Sequence, residues 1–156
     1  MKAIQLENGT IKTYNFTPKN WGNVIGGFNL LSDSDIQSYG FYDVVIPSYN
    51  SNIKELGDLE WDSENNVFTY PINNKTFSQT LSEIKAEKII ELKGIYNSKI
   101  GNTDWVIIRA QEGTTAPQSI LDERASLRIE CATHESSINN LTTKAQVADY
   151  LLPNHF

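Results

Sequence analysis

Between Leu81 and Tyr96 the apolar residues Leu81, Ile84, Ile89, Leu92, Ile95 and Tyr96 recur with the spacing of one face of an α-helix. Lys85, Lys88 and Glu91 fall off that stripe and are expected to face water. Thr80 and Glu83 have the S/T-x-x-E form, in which a hydroxyl and a carboxylate satisfy each other's backbone N–H groups, so the helix is predicted to start there. Gly94 costs about 1 kcal/mol against alanine, but the stripe continues in phase through it. Gly101-Asn102 predicts a left-handed stop, and Thr103-Asp104 predicts the cap of a second helix carrying Trp105, Ile108 and Ala110 and ending at Gly113. Pro117 suits the first turn of a third helix, with Ile120, Leu121, Leu127 and Cys131 as its apolar stripe and Arg124 and Arg128 on one side. A short helical turn is expected over 134–141, and a last helix from Lys144 to Leu151, capped by Thr142-Thr143 and closed by Pro153. The tail Asn154-His155-Phe156 is expected to fray, leaving Phe156 free to dock on a neighbouring chain.

The first half follows a different period. Ala3 to Leu6 and Ile11 to Tyr14 flank Asn8-Gly9, a dipeptide suited to the positive φ angles of a tight hairpin turn. Pro18, Gly22, Gly26 and Gly27 make 15–29 a loop, in which Trp21 and Phe28 either pin the chain to the fold or offer contacts to a partner. Ser32 caps a short helix through Ser38, favoured by Asp33 and Asp35 and stopped by Gly40. A strand is predicted from Phe41 to Ile46. A second hairpin is predicted from Leu59 to Asp62 and Val67 to Ile72, where Trp61, Phe68 and Tyr70 offer aromatic pairs, before Asn73-Asn74-Lys75 turns the chain toward the helices.

These readings predict an α+β chain. Residues 1–75 form a small β-rich module with two hairpins and a short helix, and residues 80–156 form a bundle of three to four helices. The boundary falls within 73–80, and a single packed unit stays open because that stretch is short.

Composition narrows the function. With 39% apolar residues and a net charge of -6, the chain has the makings of an ordinary folded domain. An acidic pI near 4.9 argues against non-specific nucleic-acid binding, and no basic stripe offsets it. No apolar run approaches the roughly 18 residues of a membrane span, and the amino terminus turns polar too early for a signal peptide. One cysteine, Cys131, and two histidines leave neither an internal disulfide nor a zinc cluster; no metal or other cofactor is expected. Cys131 on an apolar stripe reads as a small hydrophobe rather than a nucleophile. No phosphate loop or nucleophile elbow is present, and Glu112 with Glu123 reads as a solvated pair rather than an acid and base. No enzyme is expected.

The densest polar set is Asp104, Trp105, Arg109, Glu112, Arg124 and Arg128. Two guanidinium forks four residues apart can converge on one anion, or the set can be an interhelical latch in which Arg109 and Glu112 meet Arg124 and Arg128. The latch is the favoured reading, because the acids that would satisfy the arginines lie in the adjoining segment.

The run from Lys85 to Lys93, then Thr103-Asp104-Trp105-Val106-Ile107-Ile108-Arg109-Ala110-Gln111-Glu112-Gly113, then Pro117, then Arg124-Ala125-Ser126-Leu127-Arg128, resembles the carboxy-terminal helical domain of bacteriophage tail assembly chaperones and tail fibre assembly proteins. The likeness covers residues 80–140 and departs at Val106, where an aromatic or polar residue is common. It implies a non-enzymatic helper that binds a fibre or other tail protein in the host cytoplasm during assembly, with self-association open. The alternatives are a structural virion component that stays in the tail, and a small carbohydrate-binding module using Trp21, Trp61 and the tyrosines. On the partner-binding reading, the face to test is Trp21 and Phe28 with Tyr39, Phe41 and Tyr42.

Overall fold

The computed structural model describes residues 1–154; the readings placed on His155 and Phe156 lie outside the described residues. The chain is α+β and divides into two compact units, Met1–Lys75 and Thr76–Phe156.

In the first unit β1 (Lys2–Gln5) and β2 (Ile11–Tyr14) pair antiparallel as the expected hairpin. Its turn uses one left-handed residue, Gly9 at φ +83, rather than two. The Gly9 N–H donates to Leu6 O, the Leu6 N–H to Thr10 O, and Asn8 Oδ1 accepts from the Thr10 N–H, so the bends are shared over a longer loop. A 3-10 turn (Phe28–Leu30) precedes α1 (Asp33–Ser38), which Ser32 caps by accepting from the Asp35 N–H. Gly40 at φ +87 ends it.

β3 (Tyr42–Val45) pairs antiparallel with β1 and parallel with β6 (Val67–Thr69), and β5 (Glu60–Asp62) closes the order β2-β1-β3-β6-β5. The expected second hairpin is therefore present, with Trp61 opposite Phe68. Tyr70, expected to join their ring contacts, makes none among the described residues. Residues 73–75 are not a simple turn. β4 (Lys54–Leu56) and β7 (Ile72–Asn74) form a separate two-stranded ribbon, held by the Lys75 N–H to Ile53 O bond and by Lys54 Nζ to Asn74 Oδ1 at 2.7 Å.

On one face of the sheet Ile4 packs with Phe28, Ile36 and Phe41. Lys2 joins this region by bridging Asp33 of α1 at 2.9 Å and Asp43 of β3 at 3.1 Å.

The second unit is built on α2 (Leu81–Gly101) and α4 (Gln118–Asn140), with α3 (Asp104–Gln111) between them and α5 (Lys144–Ala148) against α2. The Thr80–Glu83 capping box forms as the sequence predicts: Glu83 Oε2 accepts from the Thr80 N–H at 2.7 Å, and Thr80 Oγ1 accepts from the Glu83 N–H at 3.3 Å. The Thr80 N–H, and next its hydroxyl, hold the Glu83 carboxyl below the usual carboxylate range. A carboxyl depressed by folding contributes stability above its unfolded value near 4.5 and loses it as pH falls through the folded value. Glu83→Gln should therefore lower the urea midpoint at pH 7, and the gap to the parent should narrow steadily as pH falls below about 4.5. A gap that does not change with pH in that range would show that the charge is not the source.

Three expectations for these helices are corrected. Gly101 is helical and Asn102 lies at φ -57, so no left-handed stop separates α2 from α3. α4 runs unbroken through 132–137, because Ile120, Arg124, Leu127, Cys131, His134 and Ile138 alternate steps of four and three and turn one continuous seam inward. Lys85 does not simply face water: its Nζ donates to Asn139 O at 2.7 Å and closes the carboxy end of α4, where a cation is favoured.

Ile84, Leu92, Tyr96, Ile138 and Val147 form the buried core, and Leu92, Ile138 and Val147 are wholly enclosed. Burying such a side chain contributes about 1.5–3 kcal/mol. Thr143 and Gln146 cap α5 reciprocally, which brings Val147 into that core.

Candidate functional site

The segment from Ile100 to Arg124 folds into a clamp around one arginine. Arg124 lies on the inward seam of α4 and is 9% exposed. Its Nη1 donates to Ile100 O and to Thr103 Oγ1, each at 2.8 Å, and its Nη2 pairs with Asp104 Oδ1 at 2.8 Å. Thr103 Oγ1 in turn donates to Ile100 O at 2.8 Å, so it does not cap α3 as the sequence suggested. The placement suits both helix dipoles: the cation meets a terminal carbonyl of α2, and the carboxylate sits in the first turn of α3. No buried side-chain nitrogen or oxygen among the described residues lacks a partner.

The latch is thus narrower than its expected form. Arg128 reaches only Arg124 O on its own helix, at 3.4 Å, and Glu112 makes no ion pair among the described residues. Arg109 lies with its guanidinium carbon 5.5 Å from the Trp105 ring centroid and does not meet Arg124. Arg109 lies five positions after Asp104, well over a helical turn, which places them on different sides of α3. The buried side of α3 is Val106 with the half-buried Ile107 and Ala110, not Trp105 and Ile108, which are 59% and 57% exposed.

Trp105 and Arg109 instead wall an open apolar groove of about 380 Å³ with Val106, Thr114, Thr115, Pro117 and Ile120. Gly113 at φ +100 and Pro117 make the sharp return that separates its two walls.

Further along α4, His134 Nδ1 and the Tyr150 hydroxyl share a hydrogen bond at 2.8 Å, and Lys93 pairs with Glu135 at 2.9 Å. Burial, and then Glu135, push the Cys131 thiol up, while Lys93 offsets this in part. A thiol held protonated in this way is a hydrophobe and not a nucleophile. Tyr96 beside it is also raised, by burial and then by Glu130. Among the described residues no group of three or more His, Cys, Asp or Glu is placed to hold a metal, and no helix is long and apolar enough to cross a membrane.

The five aromatic residues expected to face a partner do not share a surface. Phe28 and Phe41 have no exposure. Phe41 is the hub, with Trp21 edge-on at 4.7 Å, Phe28 at 5.2 Å and Tyr14 at 5.4 Å. The anchoring alternative for Trp21 and Phe28 is the one the packing supports. Tyr42, the first residue of β3, instead contacts Trp61 at 4.5 Å.

Only Trp21 and Tyr39 of the five remain at a surface groove, of about 590 Å³, with Ile4, Gln5, Leu6, Glu7 and Asn8. The apolar residues that this region does expose are Phe16 at 88%, Ile25 at 84% and Leu30 at 80%. Their outward placement had no sequence signal, because loop residues have no period to read.

Comparison with protein-family models, with curated proteins and with solved structures finds no match to this chain.

Proposed function

We propose that this chain is a non-enzymatic bacteriophage tail protein, specifically a tail fibre assembly chaperone that binds a fibre or other tail protein. The observation that carries the reading is the pairing of the Thr103-Asp104-Trp105 and Arg124 elements of the resemblance into one clamp, with Trp105 left 59% exposed outside it. A large aromatic side chain that the core does not use is a recurrent anchor at protein interfaces. Such a helper covers apolar surface and unpaired strand edges on a β-rich fibre until the fibre assembles.

Co-expression is expected to move the fibre protein of the same phage from the insoluble to the soluble fraction. Fibre solubility unchanged by this chain sinks the reading. Recovery of the chain at fixed stoichiometry in finished particles would replace the departing helper with a structural tail component.

A carbohydrate-binding reading is favoured by one feature, the open groove in which Trp21 and Tyr39 stand beside the polar side chains of Gln5, Glu7 and Asn8. Trp61 lies outside it, against Tyr42 and Phe68. On this reading a glycan array gives hits that Trp21→Ala removes, and a blank array leaves the reading without support.

A further inference from the structure

We propose that the groove between α3 and the amino end of α4 receives a polypeptide segment that presents a carboxylate beside a bulky apolar side chain. The inference rests on the reading that this chain binds another polypeptide, and it specifies the chemistry of the segment bound.

The apolar half of the requirement comes from the walls. Trp105, Val106, Pro117 and Ile120 line a groove of about 380 Å³, a size within the range of small-ligand sites and enough for one large side chain with its neighbour. Ile108 and Leu121, on the same two helices, are also exposed, at 57% and 39%.

The charged half comes from Arg109. It is the one charged residue among those lining the groove, and it makes no ion pair among the described residues. Its stacking over Trp105 fixes the guanidinium at the wall while leaving its five N–H donors uncommitted. Asp104, the acid on α3, is already held by Arg124 at 2.8 Å, and Glu112, which caps the far end of α3, pairs with no cation among the described residues. α4 begins with no side-chain cap and no acidic residue in its first turn, so the positive end of its dipole adds to the same bias. An anion adjoining an apolar group satisfies both walls at once. A basic segment would meet Arg109 with like charge, and a wholly apolar one would leave the guanidinium partly desolvated and unpaired.

The test uses the full chain against an array of short immobilised peptides in which Leu, Phe or Trp is flanked by Asp or Glu, by Gln, or by Lys. Acidic members are expected to bind at least about tenfold more tightly than their Gln counterparts, as a charge-assisted bidentate contact requires. Arg109→Gln is expected to erase that preference while retaining weak binding, and Trp105→Ala to weaken every member. Both side chains are exposed, and circular dichroism checks that each variant keeps its helices. Equal binding of acidic, neutral and basic peptides overturns the proposal, as does a preference that survives Arg109→Gln or an array with no binding. A blank array with fibre solubility still rescued removes this inference alone. Peptide binding without rescue removes the chaperone reading and leaves the groove's chemistry standing.

Discussion

Replacing Phe41 by alanine is expected to destabilise the amino-terminal unit by about 3–5 kcal/mol, enough to unfold a marginally stable small domain. The ring is wholly buried and stands between Trp21, Phe28 and Tyr14, with centroid separations from 4.7 to 5.4 Å. Its removal leaves a cavity and also strips three rings of their contacts with it, each worth about 0.5–1.5 kcal/mol beyond area. Phe41→Leu keeps much of the volume and should cost less. The measurement is a urea melt followed by tryptophan emission, since Trp21 reports this core directly. A midpoint unchanged in Phe41→Ala would mean that the residue is a surface contact, as the sequence allowed, and that the aromatic hub does not hold the unit together.

Elements fixed by neighbours in sequence were legible before the structure. The Thr80–Glu83 box, the Ser32 cap, the Gly9 hairpin and the Gly40 and Gly113 stops each need only a few adjacent residues to specify them. What depends on pairing across the chain was not. The parallel contact of β3 with β6 joins strands more than twenty residues apart, and no local pattern says which edges will meet. Lys54-Glu55-Leu56 escaped notice, and Ile72-Asn73-Asn74 was read as the end of one strand and a turn, because three-residue strands are too short to show an apolar alternation.

The site was read in part. Asp104 and Arg124 were singled out together, but Arg124 was read beside Arg128 on one side of α4 and not as a member of the inward seam, because a charged residue does not mark an apolar stripe. Arg128 was joined to the latch because it lies four residues from Arg124, yet it falls outside the seam and reaches back to Arg124 O. α3 was assigned the wrong face because eight residues are about two turns, too few for a period to choose between Val106 and Trp105. In the same way, His134 to Leu141 was read as a separate short turn after Cys131, yet the packing of His134 and Ile138 makes this stretch a continuation of α4.

Arg124→Ala is expected to cost the helical unit about 2–4 kcal/mol, because it takes the charged donor from Ile100 O, which keeps its bonds from Thr103, leaves the Thr103 hydroxyl oxygen without its donor, and empties space on the seam. Arg124→Met retains the apolar stem and should recover part of that loss. Arg124→Lys should recover less than its charge suggests, since a single ammonium cannot reproduce the planar fork that serves a carbonyl, a hydroxyl and a carboxylate together. The ion pair itself is the smaller share. Asp104 is 58% exposed, so water replaces the guanidinium when it is lost, and a double-mutant cycle with Asp104→Asn should return under about 1 kcal/mol. Urea melts followed at 222 nm, where the helices dominate the signal, separate these contributions. A coupling that accounts for most of the Arg124→Ala loss would make the clamp an ion pair first. A small coupling beside a large loss makes it a cap on the end of α2 that also fixes where α3 begins, and hence which way Trp105 faces.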